Sequence, residues 1–91
     1  MYLAVVNIEF VLPGNCTLLD KRNIVRSIID KLKKLNVSVA ETGDQNLSRY
    51  AELTVACVGH AKITVEHTID SLQTICDNCP ADTAAFEIDW L

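Results

Sequence analysis

Residues 2–12 read Tyr2-Leu3-Ala4-Val5-Val6-Asn7-Ile8-Glu9-Phe10-Val11-Leu12, and the chain then meets Pro13-Gly14. Tyr2, Ala4, Val6, Ile8, Phe10 and Leu12 fall on one side. Leu3, Val5, Asn7, Glu9 and Val11 fall on the other. Period-two alternation rich in β-branched and aromatic residues predicts a strand, and Pro-Gly predicts the turn that ends it. One side of this strand is wholly apolar and the other mixed, so it belongs in a sheet with one covered face.

The segments that follow say what covers it. Residues 17–35 read as a helix: Thr17 is an N-cap candidate, and Asp20 stands at the third helical position as in a capping box. Leu18, Ile24, Val25, Ile28, Leu32 and Leu35 share one arc, and Lys31, Lys33 and Lys34 fall in the last turn, where cations favour the macrodipole. Residues 36–42 read as a second strand with Val37 and Val39 inward, and Gly43-Asp44-Gln45-Asn46 breaks it. Residues 51–58 read as a third strand, with Leu53, Val55 and Cys57 on one side and Glu52, Thr54 and Ala56 on the other. Gly59 ends it. Residues 61–77 form a second amphipathic pattern through Ala61, Val65, Ile69, Leu72, Ile75 and Cys76, with Pro80 just beyond. Last, Ala84, Phe86, Ile88 and Trp90 alternate with Ala85, Glu87 and Asp89 as a fourth strand.

The order is βαββαβ. Two helices, each burying one stripe, need one sheet face between them. Right-handed crossovers put both on the same side. The predicted fold is α+β: a ferredoxin-like βαββαβ domain over residues 1–91, with a four-stranded antiparallel sheet and two helices on one face. The chain has 91 residues, 49% hydrophobic and 22% charged, which is ordinary globular composition and argues against disorder. No apolar run approaches the roughly 20 residues of a membrane helix. No basic region precedes the first apolar stretch, so no signal peptide is read, and the four cysteines are expected as reduced thiols in a cytoplasmic protein.

Net charge is −4, from 8 Lys+Arg against 12 Asp+Glu, which argues against bulk electrostatic binding to nucleic acid. The distribution is uneven. Lys21, Arg22, Arg26, Lys31, Lys33 and Lys34 lie within one helix and its end, and only Arg49 and Lys62 lie elsewhere. At roughly 100° per residue, Arg22, Arg26 and Lys33 fall within about 40° of one another beside the apolar stripe. Lys21 lies nearer the stripe, and Asp30 interrupts the charged side. Such a row suits a phosphate backbone, Arg offering a planar fork and Lys a mobile charge. It also suits a solvated helix face, which is what most charge runs are.

Other constellations carry less chemistry. Cys76-x-x-Cys79 has metal or redox spacing, yet zinc wants about four ligands and Cys16 and Cys57 stand apart. The pair also sits at a helix C-terminus, where the dipole opposes thiolate. His60 and His67 read as surface residues. Glu9, Glu52, Glu87 and Asp89 project from the open sheet face among Leu3, Val5, Thr54 and Ala56, with no companion nucleophile or phosphate loop. No aromatic is expected there, because Tyr2, Phe10, Phe86 and Trp90 fall on the other side, so stacking of RNA bases on the sheet is disfavoured. A half-apolar face of this kind suits a subunit or partner contact. No catalytic constellation, cofactor or metal site is predicted.

Leu12-Pro13-Gly14, Thr17-Leu18 with Lys21-Arg22, and Arg26-Ser27 resemble the opening of the YlxP-like family. So do Asn36-Val37-Ser38-Val39-Ala40-Glu41, then Gly43-Asp44-Gln45 and Ala51-Glu52-Leu53. The resemblance covers nearly the whole chain. It implies a ferredoxin-like fold, a bacterial cytoplasmic protein of uncharacterised role, and an association with the ribosome or RNA. The family pattern has Lys where this chain has Leu19, and often Trp where it has Ser48. Two expectations follow: a non-enzymatic accessory factor docking on RNA or the ribosome through Arg22, Arg26 and Lys33 with Lys21 and Arg49 as helpers, or a homo-oligomeric protein-interaction or small-ligand module using the open sheet face or a sheet edge. No membrane contact is expected.

Overall fold

A computed structural model describes residues 1–91. The elements run β1 (Tyr2–Val11), α1 (Leu18–Leu32), β2 (Val37–Thr42), β3 (Tyr50–Gly59), α2 (Lys62–Asp77) and β4 (Asp82–Trp90). The strands form one antiparallel sheet in the order β2-β3-β1-β4, so the fold is ferredoxin-like α+β, as the alternation of apolar positions requires.

The period-two pattern of β1 becomes burial directly. Ala4, Val6, Ile8 and Phe10 are buried, and their β3 partners Cys57, Val55, Leu53 and Ala51 are buried opposite them. Val25, Ile28 and Leu32 from α1 and Val65, Ile69, Leu72 and Cys76 from α2 close over this face in one core of 17 residues. Each fully buried aliphatic side chain contributes roughly 1.5–3 kcal/mol relative to exposure. Rotation of either helix about its axis is therefore strongly opposed.

Helix α1 begins as its sequence says. Thr17 accepts from the Asp20 amide and Asp20 accepts from the Thr17 amide, both at 3.1 Å, which completes a capping box. It ends earlier than the apolar arc suggests. Lys33 is the C-cap, and Lys34 and Leu35 are drawn into a tight turn by bonds to the Lys31 and Leu32 carbonyls. The turn is needed because β2 starts at Val37 and must run back along the helix.

Two further departures concern strands. β3 starts at Tyr50, one residue before the expected Ala51, which adds a residue to the open face. In β4 the pairing shifts: Glu9 faces Ala85 while Phe10 faces Thr83, leaving Ala84 unpaired and exposed. Ala84 therefore does not share the covered side with Phe86, Ile88 and Trp90. Thr83 takes that place, with its Oγ1 buried and without a hydrogen-bond partner.

Candidate functional site

The buried stripe of α1 fixes where its cations go. Arg22, Arg26 and Lys33 are exposed and line one shallow depression of about 420 Å³ together with Val25, Ile29, Asp30 and Glu41. The depression runs between α1 and β2, so the structure brings together the three residues that the helical spacing singles out. Asp30 sits within the row, as its position in sequence implies.

Lys21 does not join them. It is 1% exposed, and its Nζ donates to the Leu47 carbonyl at 2.6 Å and the Asp44 carbonyl at 3.4 Å. The side chain spends its charge on two backbone oxygens of the loop between β2 and β3, and a cation so enclosed cannot reach a phosphate. Its position beside the apolar stripe hinted at burial, but its partners lie 23 and 26 residues away in sequence. Arg49 lies apart from the row, with its guanidinium against Gly14 in the loop that leads into α1. The backbone there is tied by the Leu12 amide to the Arg49 carbonyl at 2.9 Å.

The open sheet face carries the projected residues and one that sequence reading missed. Glu9 and Glu52 are directly opposite across β1 and β3. Like charges so placed repel. Tyr50, an aromatic on the face expected to have none, resolves this: its hydroxyl lies 2.7 Å from Glu9 Oε1 and 3.1 Å from Glu52 Oε1 and donates to them. Glu52 Oε2 accepts from Thr42 Oγ1 at 2.7 Å and from Asn7 Nδ2 at 3.1 Å. Asn7 Nδ2 also reaches Thr54 Oγ1 at 3.3 Å, and the two threonine hydroxyls are 3.0 Å apart. Since the Thr42 proton goes to Glu52, Thr54 donates to Thr42. Every proton in the group then has a place, and the network is an ordered one.

The titration behaviour follows from this geometry. Donation from Thr42, then Asn7, holds the Glu52 carboxyl below its ordinary value, with Tyr50 contributing less. The same carboxylates, Glu9 foremost, favour the neutral phenol and hold Tyr50 well above the usual tyrosine range. Glu87 and Asp89 stand on the same face, opposite Asn7 and Val5. A single tyrosine engaged by two carboxylates offers no array of free aromatic faces for bases.

The cysteines are all free thiols. Cys57 and Cys76 belong to the core. Burial, with smaller contributions from Cys79 and Asp77, pushes the Cys76 thiol up to about 12, and burial raises Cys57. Cys79 Sγ lies 3.0 Å from the Cys76 carbonyl and 3.3 Å from that of Ala81, and its proton goes to these oxygens. No three His, Cys, Asp or Glu side chains converge as metal ligands would. His60 and His67 are exposed. No helix is long and apolar enough to cross a membrane.

The fold and these surfaces define a small ferredoxin-like domain with a cationic helix flank and an acidic, hydrogen-bonded sheet face. The chain belongs to the family described as "Protein of unknown function (DUF503)", whose model matches residues 3–89. No curated protein matches the sequence. Among solved structures, the de novo designed protein Ferredog-Diesel is similar with a TM-score of 0.57 at 9% identity, over 96% of this chain and 83% of that one. The de novo designed protein Foldit4 is similar with a TM-score of 0.54 at 14% identity, over 98% and 96% of the two chains. At such identities the likeness concerns the fold alone.

Proposed function

We propose that this protein is a non-enzymatic, YlxP-like accessory factor of the bacterial cytoplasm that associates with RNA or the ribosome by docking the α1 flank on phosphate groups. The observation that carries this reading is the alignment of Arg22, Arg26 and Lys33 along one depression beside a helix that cannot rotate. The two guanidiniums supply planar forks for phosphate oxygens, and Lys33 supplies a mobile charge at the helix end. Arg49, near the start of the same helix, is the remaining helper; Lys21 is committed to the loop. Contacts of this kind position a protein on a backbone without reading bases, and they weaken with salt.

The test is co-sedimentation of the purified protein with ribosomal particles, with and without nuclease, over a salt series. Association that is lost to nuclease and to salt supports the reading. Association that survives both, or none at low salt, removes it.

A second reading, a module that binds a small ligand or partner on the open sheet face, is favoured by the ordered network there and by a depression lined by Val5, Asn7, Thr54, Glu87, Ile88 and Asp89. Binding that survives nuclease and disappears on substitution of Glu87 and Asp89 would select it.

A further inference from the structure

The sheet order β2-β3-β1-β4 leaves two edges, and they are built differently. The β4 edge is irregular opposite Glu9 and Phe10 and carries Asp82, Glu87 and Asp89. Antiparallel self-pairing centred on Glu87 would set that carboxylate against its own copy. Centring on Ile88 would set it against Asp89. Irregularity and charge are the usual devices that keep an edge unpaired.

β2 has neither. Its pairing with β3 is unbroken from Val37↔Cys57 to Thr42↔Glu52, it contains no Pro, Lys or Arg, and its only charge is Glu41. Ser38 and Ala40 are exposed, and Val37 and Val39 are half-buried against the core. The Val37 amide donates to the Leu35 carbonyl at 2.9 Å and Gln45 Nε2 reaches the Glu41 carbonyl at 3.5 Å, so the backbone groups that a regular strand leaves for another strand are those at the centre of β2, between Val37 and Glu41.

We infer that the β2 edge pairs antiparallel with the β2 edge of a second copy about a two-fold axis at Val39, joining two four-stranded sheets into one of eight strands. A second copy fits because the strand is complementary to itself. Val39 meets Val39, Ser38 meets Ala40, and Val37 meets Glu41. The residues that meet have the same parity, so covered side faces covered side and open side faces open side. No like charges stand opposite. Glu41 of each copy lies beside Val37 of the other, next to the turn that carries the exposed Lys33 and Lys34, so opposite charges approach twice by symmetry. Stacking through the open faces lacks this complementarity: Glu9, Glu52, Glu87 and Asp89 stand there with no Lys or Arg on any of its strand positions. Pairing at β2 also brings two α1 flanks to one seam, doubling the row of Arg22, Arg26 and Lys33.

The inference stands apart from RNA docking, and its test uses no nucleic acid. Sedimentation equilibrium of the full chain is expected to give twice the chain mass. Ser38→Lys with Ala40→Lys sets lysine against lysine at both open-side pairs and is expected to give the chain mass. Ser38→Glu with Ala40→Lys sets opposite charges at the same pairs and is expected to keep the doubled mass. Both positions are exposed, and circular dichroism reports whether the variants fold. A wild-type chain that stays monomeric at the highest attainable concentration overturns the inference, as do two variants that behave alike. If the lysine variant does not fold, hydrogen exchange on the wild type decides. Protection of β2 amides that rises with protein concentration supports the seam, and protection independent of concentration overturns it.

Discussion

Lys21 Nζ donates to the carbonyl of Leu47 at 2.6 Å, joining the first turns of α1 to the loop between β2 and β3 from inside the fold. The cation is 1% exposed, and the carbonyl of Asp44 takes a second, longer bond. The residue thus serves the structure of the loop, and it sits one position before Arg22, whose side chain is exposed.

Lys21→Met keeps most of the apolar stem and removes the donor. The Leu47 carbonyl loses the Lys21 donor, while the Asp44 carbonyl keeps the Leu47 amide at 3.4 Å; a group left unsatisfied where water does not reach it costs about 1–3 kcal/mol. The expected outcome is a lower urea midpoint with an unchanged slope, and hydrogen exchange that quickens first in residues 43–49. RNA or ribosome association should persist under conditions where the variant is folded. A variant as stable as the wild type would show that water replaces the ammonium at no cost.

The Glu52 network predicts opposite pH effects at the two ends of the scale. The carboxyl is held below its ordinary value of 4.5, so its contribution to stability is complete above that value and disappears as pH falls through the lower, folded value. Tyr50 is held above 10.0, so its contribution is complete below that value and declines once the pH passes it and unfolded phenols begin to ionise. Chemical denaturation across pH should show the acid-side loss in wild type and a smaller one in Glu52→Gln. Ultraviolet titration of the folded protein should show a late phenol that Tyr50→Phe removes.

How much of this was legible in the sequence differs from residue to residue. The alternation in β1 and the Thr17–Asp20 pair were readable because each depends on neighbours a few positions apart. The Arg22, Arg26 and Lys33 row followed from helical angle alone. Tyr50 was not readable: it follows the polar loop residues Ser48 and Arg49, and only the pairing of β3 with β1 puts it on the sheet. The network needs the register of three strands, since Asn7, Thr42 and Thr54 come from β1, β2 and β3. Ala84 satisfied the alternation on paper, and the shift opposite Glu9 and Phe10 has no local signal.

Thiol reactivity should divide the cysteines into two pairs. Cys57 and Cys76 are buried, and the Cys76 thiol, pushed up to about 12, has almost no thiolate at neutral pH. Cys16 and Cys79 are partly exposed. An aromatic disulfide reagent should therefore titrate two thiols in the folded protein and four after denaturation. Protein purified without added metal should contain no stoichiometric zinc by elemental analysis. Two unreactive thiols at positions 76 and 79, together with zinc, would instead indicate a metal pair completed by a second chain.

The row on α1 gives the most direct test of the proposed function. Val25, Ile28 and Leu32 hold the helix against the sheet, so Arg22, Arg26 and Lys33 stay together on the solvent side whatever the partner. The chain carries a net charge of −4, so attraction to phosphate has to be local, weak and sensitive to salt. Each phosphate contact removed should lower the magnitude of the log–log salt slope by roughly 0.7–0.9. Arg22→Ala with Arg26→Ala should abolish RNA or ribosome association while changing stability by about 0.5 kcal/mol or less per site, as exposed substitutions do. Glu87→Ala with Asp89→Ala removes negative charge from the opposite face and should leave association unchanged or slightly stronger. Filter binding over a salt series, with denaturation curves for each variant, measures both quantities. If the arginine pair can be removed with no change in affinity or slope, the row is a solvated helix face, and the open sheet becomes the surface on which a partner has to be sought.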